Sequence, residues 1–347
     1  MKVLSLFLLL FSSAILASSD LYDQGKAYYY GDGVEQNYNK AFKAFSHADK
    51  AGDLAAKTAL GLMYIEGKGT DQNDKKGIDL IKQSAIQNHA KAQYYLGSMY
   101  YLGIGVKRDL KVAHQWIKKS AKQGYADAQS NLSQMYEKGD GVKKNPLLSN
   151  KWRLKAAQSG NSDEQYRLGA AYAHDKDYEQ AYDWLKKSAN QDHALAQYQL
   201  AVFFQNGHYI PKDAEEALNW YQKSFANGNE APAYALANYY DAGKYTKLDY
   251  NKSHKLYQQS IKQGNLQAYL DIARHYELGQ GVEVNLTKAY SFVIAAARKG
   301  NQAAWRKVAD LYLQGRGVDL SVEKAKYWLK KLSNSGDIQA SEKLQEL

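Results

Sequence analysis

Apolar and small residues recur along the chain with the spacing of one face of an α-helix. Ala92, Leu96 and Tyr100 lie four residues apart, with the small Gly97 beside them, so they follow one helical stripe. The pattern returns at intervals of 32 to 37 residues, its first position being Ala56, Ala92, Ala128, Glu164, Ala196, Ala233, Ala268, Ala304 and Ala340. This regularity predicts an array of equivalent units rather than several unrelated domains.

Small residues follow the central apolar position in every unit: Gly25, Gly61, Gly97, Ser133, Gly169, Ala201, Ala237, Ala273 and Ala309. A side chain that stays small in all nine units predicts that another helix packs closely there.

A second helix is predicted in each unit by a column of residues favoured at helix N-caps. The column consists of Asn37, Asn73, Asp109, Asn145, Asp177, Asp213, Asp249, Asn285 and Ser321. Each unit closes on a residue suited to the left-handed conformation: Gly52, Asn88, Gly124, Gly160, Asp192, Gly228, Gly264, Gly300 and Gly336. Gly103 and Gly105 break the first helix in the same way. The chain is therefore predicted to be all-α, with nine helix pairs.

The motif A-x3-LG-x2-Y-x2-G-x-GV, followed by K-A-x2-W and K-A/S-A-x2-G, resembles the Sel-one-like repeat, a relative of the tetratricopeptide repeat. The resemblance implies an α/α superhelical solenoid of nine helix-pair repeats in one domain, residues 20–347. The repeats are placed at 20–55, 56–91, 92–127, 128–163, 164–195, 196–232, 233–267, 268–303 and 304–339, with a capping helix at 340–347. The turn of repeat five is four residues shorter, and repeats six and seven lack the Gly-x-Gly turn, which leaves the local curvature open.

The resemblance also implies a scaffold or adaptor for protein–protein contacts and not an enzyme. Bacterial members are often periplasmic or secreted and take part in envelope or host interactions, including virulence. The N-terminus of this chain favours export, because Lys2 precedes an apolar run from Val3 to Leu16 and small residues follow it. We predict a signal peptide over residues 1–19, cleaved after Ala17 or Ser19, and a location in the periplasm or outside the cell.

Composition limits the chemistry of the chain. It contains no Cys, which excludes disulfides and thiolate metal sites. Its eight His show no metal-ligand spacing, and no phosphate-binding loop or nucleophile elbow is present, so we predict no catalytic residue, no metal and no cofactor. A hydrolase is disfavoured accordingly. No stretch after the N-terminal apolar run is long enough for stable membrane insertion.

The net charge of +10 favours anionic partners, but the basic residues are spread along the chain. We therefore predict no nucleic-acid binding, which would require a basic stripe.

Three positions of the first helix lie about 150° from its core face and vary between units. By similarity to tetratricopeptide units they are expected to line a concave groove. The groove residues predicted from these columns are Tyr22, Tyr29, Tyr94, Tyr101, Tyr166, Tyr198, Arg274, Glu277, Arg306 and Asp310. Tyrosine is enriched at binding hot spots, although aromatic stripes also form protein cores.

Two ligand classes stay open at this point. A protein or peptide segment is the partner that the resemblance favours, and a cell-wall glycan such as peptidoglycan is the alternative, because aromatic rings can stack on sugars. We expect a monomer, since the last residues resemble a capping helix that closes the array.

Overall fold

The computed structural model describes residues 20–347, which are helical throughout apart from turns and contain no β-strand. Residues 1–19, for which the sequence predicts a signal peptide, lie outside the described residues. The helices are α1 (20–30), α2 (Tyr38–Lys50), α3 (Leu54–Glu66), α4 (Asp74–Ile86), α5 (Ala90–Leu102), α6 (Leu110–Lys122), α7 (Ala126–Lys138), α8 (Pro146–Gln158), α9 (Ser162–His174), α10 (Tyr178–Ala189), α11 (Ala194–Asn206), α12 (Ala214–Ala226), α13 (Ala233–Ala242), α14 (Tyr250–Lys262), α15 (Gln267–Leu278), α16 (Leu286–Arg298), α17 (Gln302–Gln314), α18 (Val322–Ser333) and α19 (Ile338–Glu346). The all-α fold class is confirmed.

Helix ends follow the predicted cap residues. In all nine second helices, α2 to α18 in even numbers, the predicted N-cap side chain accepts a backbone N–H of the first turn. All nine closing residues have positive φ, including the non-glycine Asn88 at 70° and Asp192 at 59°. Repeat six, which lacks the second turn glycine, places Tyr209 in this conformation at φ 64° instead. Repeat six therefore keeps the left-handed conformation without the glycine, whereas Tyr245 at the same position of repeat seven does not adopt it.

The chain divides into two compact units between Leu168 and Gly169, within α9. In unit 1, α4 packs on α3 of its own repeat and on α5 of the next, and α6 packs on α5 and α7 in the same way. Unit 2 shows the same order, from α10 against α11 to α18 against α19. That the nine repeats form one continuous solenoid domain stays a prediction.

The small-residue column marks close contacts between the two helices of a repeat. A Cβ built on Gly97 of α5 would lie 2.6 Å from Ile117 Cγ1 and 3.2 Å from the carbonyl oxygen of Ala113 on α6. At the equivalent Gly61 of α3, it would lie 2.7 Å from Ile81 Cγ1. The expected close approach is confirmed at these positions. Because this side of each first helix packs on a second helix, the variable residues lie on its opposite side.

Candidate binding site

The predicted groove residues all lie on first helices. Their positions are Tyr22 and Tyr29 on α1, Tyr94 and Tyr101 on α5, Tyr166 on α9, Tyr198 on α11, Arg274 and Glu277 on α15, and Arg306 and Asp310 on α17. Polar contacts join first helices of neighbouring repeats within each unit. In unit 1, the Tyr29 hydroxyl donates to Glu66 of α3 at 2.9 Å, and in unit 2 the Tyr234 hydroxyl donates to Asp271 of α15 at 3.1 Å. Within each unit, we call this shared side of the first helices the first-helix face.

Unit 1 has a cavity of about 420 Å³ on this face, between α1, α3 and α5, which we call tyrosine cavity 1. Tyr22 and Tyr29 line it from α1, Leu62 from α3 and Tyr95 from α5. Tyr22 packs on Phe45 with ring centroids 5.6 Å apart, which fixes the inner wall of the cavity.

The rim of tyrosine cavity 1 is charged. The Lys68 ammonium group pairs with Glu66 at 2.8 Å and donates to the Tyr29 hydroxyl at 3.1 Å. Both hydrogen bonds raise the pKa of Lys68, and the bond to Glu66 has the larger effect. Lys26, by contrast, pairs with Asp23 on its own helix at 2.9 Å. The Tyr29 ring is therefore held in place by its neighbours, leaving its face towards the cavity as a rigid wall.

A second cavity of about 320 Å³, tyrosine cavity 2, lies between α5 and α7. Tyr94 and Tyr101 line one side, and Asn131, Gln134 and Lys138 of α7 line the other. Helix α5 separates the two cavities, because Tyr95 lines tyrosine cavity 1 while its neighbour Tyr94 lines tyrosine cavity 2.

The tyrosines of cavity 2 are anchored at both ends of α5. The Tyr101 hydroxyl donates to Asp140 Oδ2 at 2.6 Å, and this bond to a carboxylate is the main cause of its raised pKa. The Tyr94 ring packs 5.2 Å from Tyr125, and burial raises the pKa of Tyr94. Both side chains stay neutral and present an apolar body with a polar tip to the cavity.

Tyr166 and Tyr198 line neither cavity. Tyr166 is half-buried at the end of unit 1, on α9. Tyr198 belongs to unit 2 and packs on Tyr221 of α12 with ring centroids 5.7 Å apart. The structure thus brings four of the six predicted tyrosines into two adjacent cavities and leaves these two elsewhere.

The predicted charged residues of unit 2 are engaged in links between neighbouring repeats. Arg274 pairs with Asp241 of α13, and Arg306 pairs with Asp337 beside α19. Glu277 accepts from Lys307 of α17 at 3.0 Å, and Asp310 accepts from Lys343 of α19 at 2.7 Å. These contacts bind one first helix to the next, so the four groups already have partners within the chain.

Several residues that line the cavities were not predicted from the sequence. Tyr95 and Lys91 of α5 and Lys138 of α7 fall outside the three variable columns, yet they line the cavities. The tyrosine doublet Tyr94–Tyr95 was the available signal, since two adjacent helical residues point about 100° apart and can face two different cavities.

Nine segments of the chain match the Sel1 repeat, at residues 21–46, 54–89, 90–125, 126–161, 165–193, 194–229, 233–265, 266–301 and 304–337. The chain belongs to the Sel1 repeat family. The resemblance seen in the sequence motifs is thereby confirmed. Sel1 repeats are structural scaffolds that bind other proteins and are not typically enzymes.

Two solved structures of Sel1 repeat proteins are similar to this chain. One is c5321, described as a protective antigen present in uropathogenic Escherichia coli strains and displaying an SLR fold. It is 30% identical with a TM-score of 0.59, over 95% of this chain and 71% of c5321. The other is a Sel1 repeat protein from Oxalobacter formigenes, 29% identical with a TM-score of 0.45, over 88% of this chain and 90% of that protein. Among curated proteins, none matches this chain.

Two further observations apply to residues 20–347. No helix among them has the length and apolar character needed to cross a bilayer. No three His, Asp or Glu side chains among them gather closely enough to hold a metal ion.

Proposed function

We propose that this Sel1 repeat protein is an adaptor whose unit 1 binds an extended or helical protein segment along the first-helix face. Apolar side chains of the segment occupy tyrosine cavities 1 and 2, on either side of α5. The observation that carries the proposal is the pair of adjacent cavities, each lined by two tyrosines from the variable columns.

The size of the cavities supports this choice. At about 420 and 320 Å³, each reaches the lower end of the volume range of small-molecule pockets, which suits one or two large apolar side chains. Tyrosine is among the residues that dominate binding energy at interfaces, because its ring buries a large area and loses little conformational freedom.

The charged residues around the cavities indicate what kind of protein segment would bind. Lys91 borders cavity 1 and Lys138 borders cavity 2, and neither forms an ion pair with another described residue. A segment with acidic residues next to its apolar anchors would pair with both lysines. In unit 2, by contrast, the four charged residues predicted for the groove, Arg274, Glu277, Arg306 and Asp310, are paired within the chain.

The place of action belongs to the same proposal. The signal-peptide pattern over residues 1–19 supports export to the periplasm or the cell exterior. The 30% identity to c5321, described as a protective antigen, supports a role in envelope or host interactions. The partner is then an envelope or host protein.

Affinity capture with matched variants tests the adaptor role. Envelope extract and host-cell extract are passed separately over the immobilised wild-type chain, the variant Tyr94→Ala/Tyr101→Ala and the control Tyr245→Ala/Tyr327→Ala. The control removes two tyrosines that are 42% and 62% exposed in unit 2. Bound proteins are identified by mass spectrometry, and affinities are then measured with the purified partner.

We expect a partner that the wild type and the control retain equally. The Tyr94/Tyr101 variant should bind it at least tenfold more weakly, because truncating one hot-spot residue costs about 2 kcal/mol. Circular dichroism should be unchanged in both variants. If the two variants bind alike, the cavity assignment is wrong. If retention depends on Tyr94 and Tyr101 but survives protease treatment of the extract, the ligand is a glycan and not a protein.

A further inference from the structure

Basic residues occur along the whole chain, but their excess over acidic residues is concentrated in one part of it. Residues 75–155 contain 16 Lys or Arg and 5 Asp or Glu, a net charge of +11, although the whole chain carries only +10. Unit 2, residues 169–347, contains 22 Lys or Arg and 20 Asp or Glu and is nearly neutral. The basic character of the protein therefore comes from the repeats of α4, α6 and α8.

The outward sides of these three second helices carry most of this charge. Because α4 packs on α3 and α5, and α6 packs on α5 and α7, residues at equivalent distances from the N-caps point outward in register. We call the outward side of α4, α6 and α8 the second-helix face of unit 1. Its side chains are Lys75, Asp79, Lys82 and Ile86 on α4, Lys111, Gln115, Lys118, Lys119 and Lys122 on α6, and Leu147, Lys151, Leu154 and Lys155 on α8.

Most of these lysines are not used by the fold. Lys111, Lys118 and Lys151 form no ion pair with a described residue; Lys111 and Lys151 are exposed and Lys118 is half-buried. Lys119 and Lys155 lie over the rings of Trp116 and Trp152 at 4.3 and 4.8 Å, which fixes two charges next to aromatic surface. The face therefore presents a field of positive charge that no acidic residue on it balances except Asp79.

Large apolar side chains stand among these lysines. Leu147 is 82% exposed and Leu154 is 44% exposed, one helical turn on either side of Lys151. Ile86, at the end of α4, is 65% exposed. The helix α8 thus has apolar residues on its outer side as well as towards the core, an arrangement that packing inside the chain does not require.

We propose that the second-helix face of unit 1 docks on an anionic lipid bilayer. Its lysines lie against the headgroups, and Leu147 and Leu154 enter the interface. This contact lies on the other side of unit 1 from the tyrosine cavities, so it does not depend on the adaptor role. It is peripheral adsorption and requires no helix to cross the membrane.

The chemistry of the face favours a bilayer over an acidic protein or a nucleic acid. Lysine acts as a point charge, whereas the planar guanidinium of arginine is the group that recognises individual carboxylates or phosphates in two-pronged fashion. The only arginine on these three helices is Arg153, and it pairs with Glu137 at 3.0 Å. Lysines mixed with exposed apolar side chains are the pattern of surfaces that bind anionic membranes.

Vesicle co-sedimentation with the full chain tests the proposal. The vesicles are either equimolar phosphatidylcholine and phosphatidylglycerol or phosphatidylcholine alone, which separates adsorption by charge from binding through the apolar residues 1–19. The test variant is Lys111→Gln/Lys118→Gln/Lys151→Gln. The control Lys186→Gln/Lys255→Gln/Lys330→Gln removes the same charge from exposed second-helix positions of unit 2.

We expect the wild type and the control to bind the anionic vesicles equally and to bind neutral vesicles far less. The test variant should lose about a hundredfold in affinity for anionic vesicles, since each lysine near an anionic surface contributes about fivefold. Leu147→Ser should also weaken vesicle binding, while leaving the helical circular-dichroism signal intact.

Three results would overturn the proposal. Equal losses in the test variant and the control would show that only net charge matters. Undiminished binding in the test variant would place the contact elsewhere. Binding to poly-glutamate or duplex DNA that needs Lys111, Lys118 and Lys151, without binding to anionic vesicles, would assign the face to another class of partner.

Discussion

Replacing Gly97 by alanine tests whether the small-residue column is set by close packing between helices. The added Cβ would lie 2.6 Å from Ile117 Cγ1 and 3.0 Å from the backbone nitrogen of Ile117. Carbon atoms in contact prefer about 3.5–4.0 Å, so α6 must move by roughly an ångström or Ile117 must leave its rotamer. Overpacking costs about 1–3 kcal/mol, and we expect the upper half of that range here because part of the clash is with the backbone of α6.

An opposing effect has to be subtracted from that cost. Alanine is favoured over glycine inside a helix by about 1 kcal/mol, which stabilises the variant. We therefore expect Gly97→Ala to lower the free energy of unfolding by about 1–2 kcal/mol, with α5 and α6 affected most because each repeat packs only on its neighbours.

Urea unfolding followed by circular dichroism measures this change, and hydrogen exchange locates it. The reverse substitution Ala273→Gly is the matched control, since Ala273 is fully buried at the same position of repeat eight. It should also destabilise, because it loses helix propensity and a buried methyl group. A Gly97→Ala variant as stable as the wild type, or more stable, would refute the close-packing argument.

Three further predictions concern caps, ion pairs and pH. Asp109→Ala removes the cap whose carboxylate accepts the N–H groups of Lys111 and Val112, and urea unfolding should show a loss of about 1 kcal/mol. Lys343→Gln breaks the partly exposed pair with Asp310 and should cost less than about 1 kcal/mol in the same assay; a larger loss would show that the pair is more than a surface contact. Burial, and secondarily His275, lowers the pKa of His254, so its imidazole stays neutral in the folded chain while the unfolded chain takes up a proton. The contribution of His254 to the free energy of unfolding should therefore be fully present above pH 6.5. Below pH 6.5 it should fall by at most about 1.4 kcal/mol per pH unit. Urea unfolding midpoints measured on both sides of pH 6.5 should depend less on pH in His254→Gln than in the wild type.

Local structure was predictable because it depends on residues close together in sequence. The cap at Asp109 needs only its own side chain and the next turn of α6. The left-handed residue at Asn88 needs only a side chain that tolerates positive φ. The position of Gly97 against α6 followed from a column of small residues repeated nine times. Repetition supplied the comparison that a single helix would lack.

The candidate binding surface was only partly predictable, because its cavities depend on how neighbouring first helices meet. Periodicity placed Tyr94 and Arg274 in the same kind of column, yet Tyr94 lines a cavity while Arg274 pairs with Asp241. Which outcome occurs depends on whether the next repeat supplies a group of opposite charge within reach. The periodicity did not predict Lys91, because this residue lies outside the variable columns and yet borders tyrosine cavity 1.

Hydrogen–deuterium exchange of the complex between the chain and its captured partner is the most direct test of the adaptor account. If a segment occupies both tyrosine cavities, exchange should slow in α1, α3, α5 and α7, most strongly around Tyr94 to Tyr101, and stay unchanged in α15 and α17. Protection confined to α15 and α17, or absent from α5, would contradict the assignment of binding to the first-helix face of unit 1.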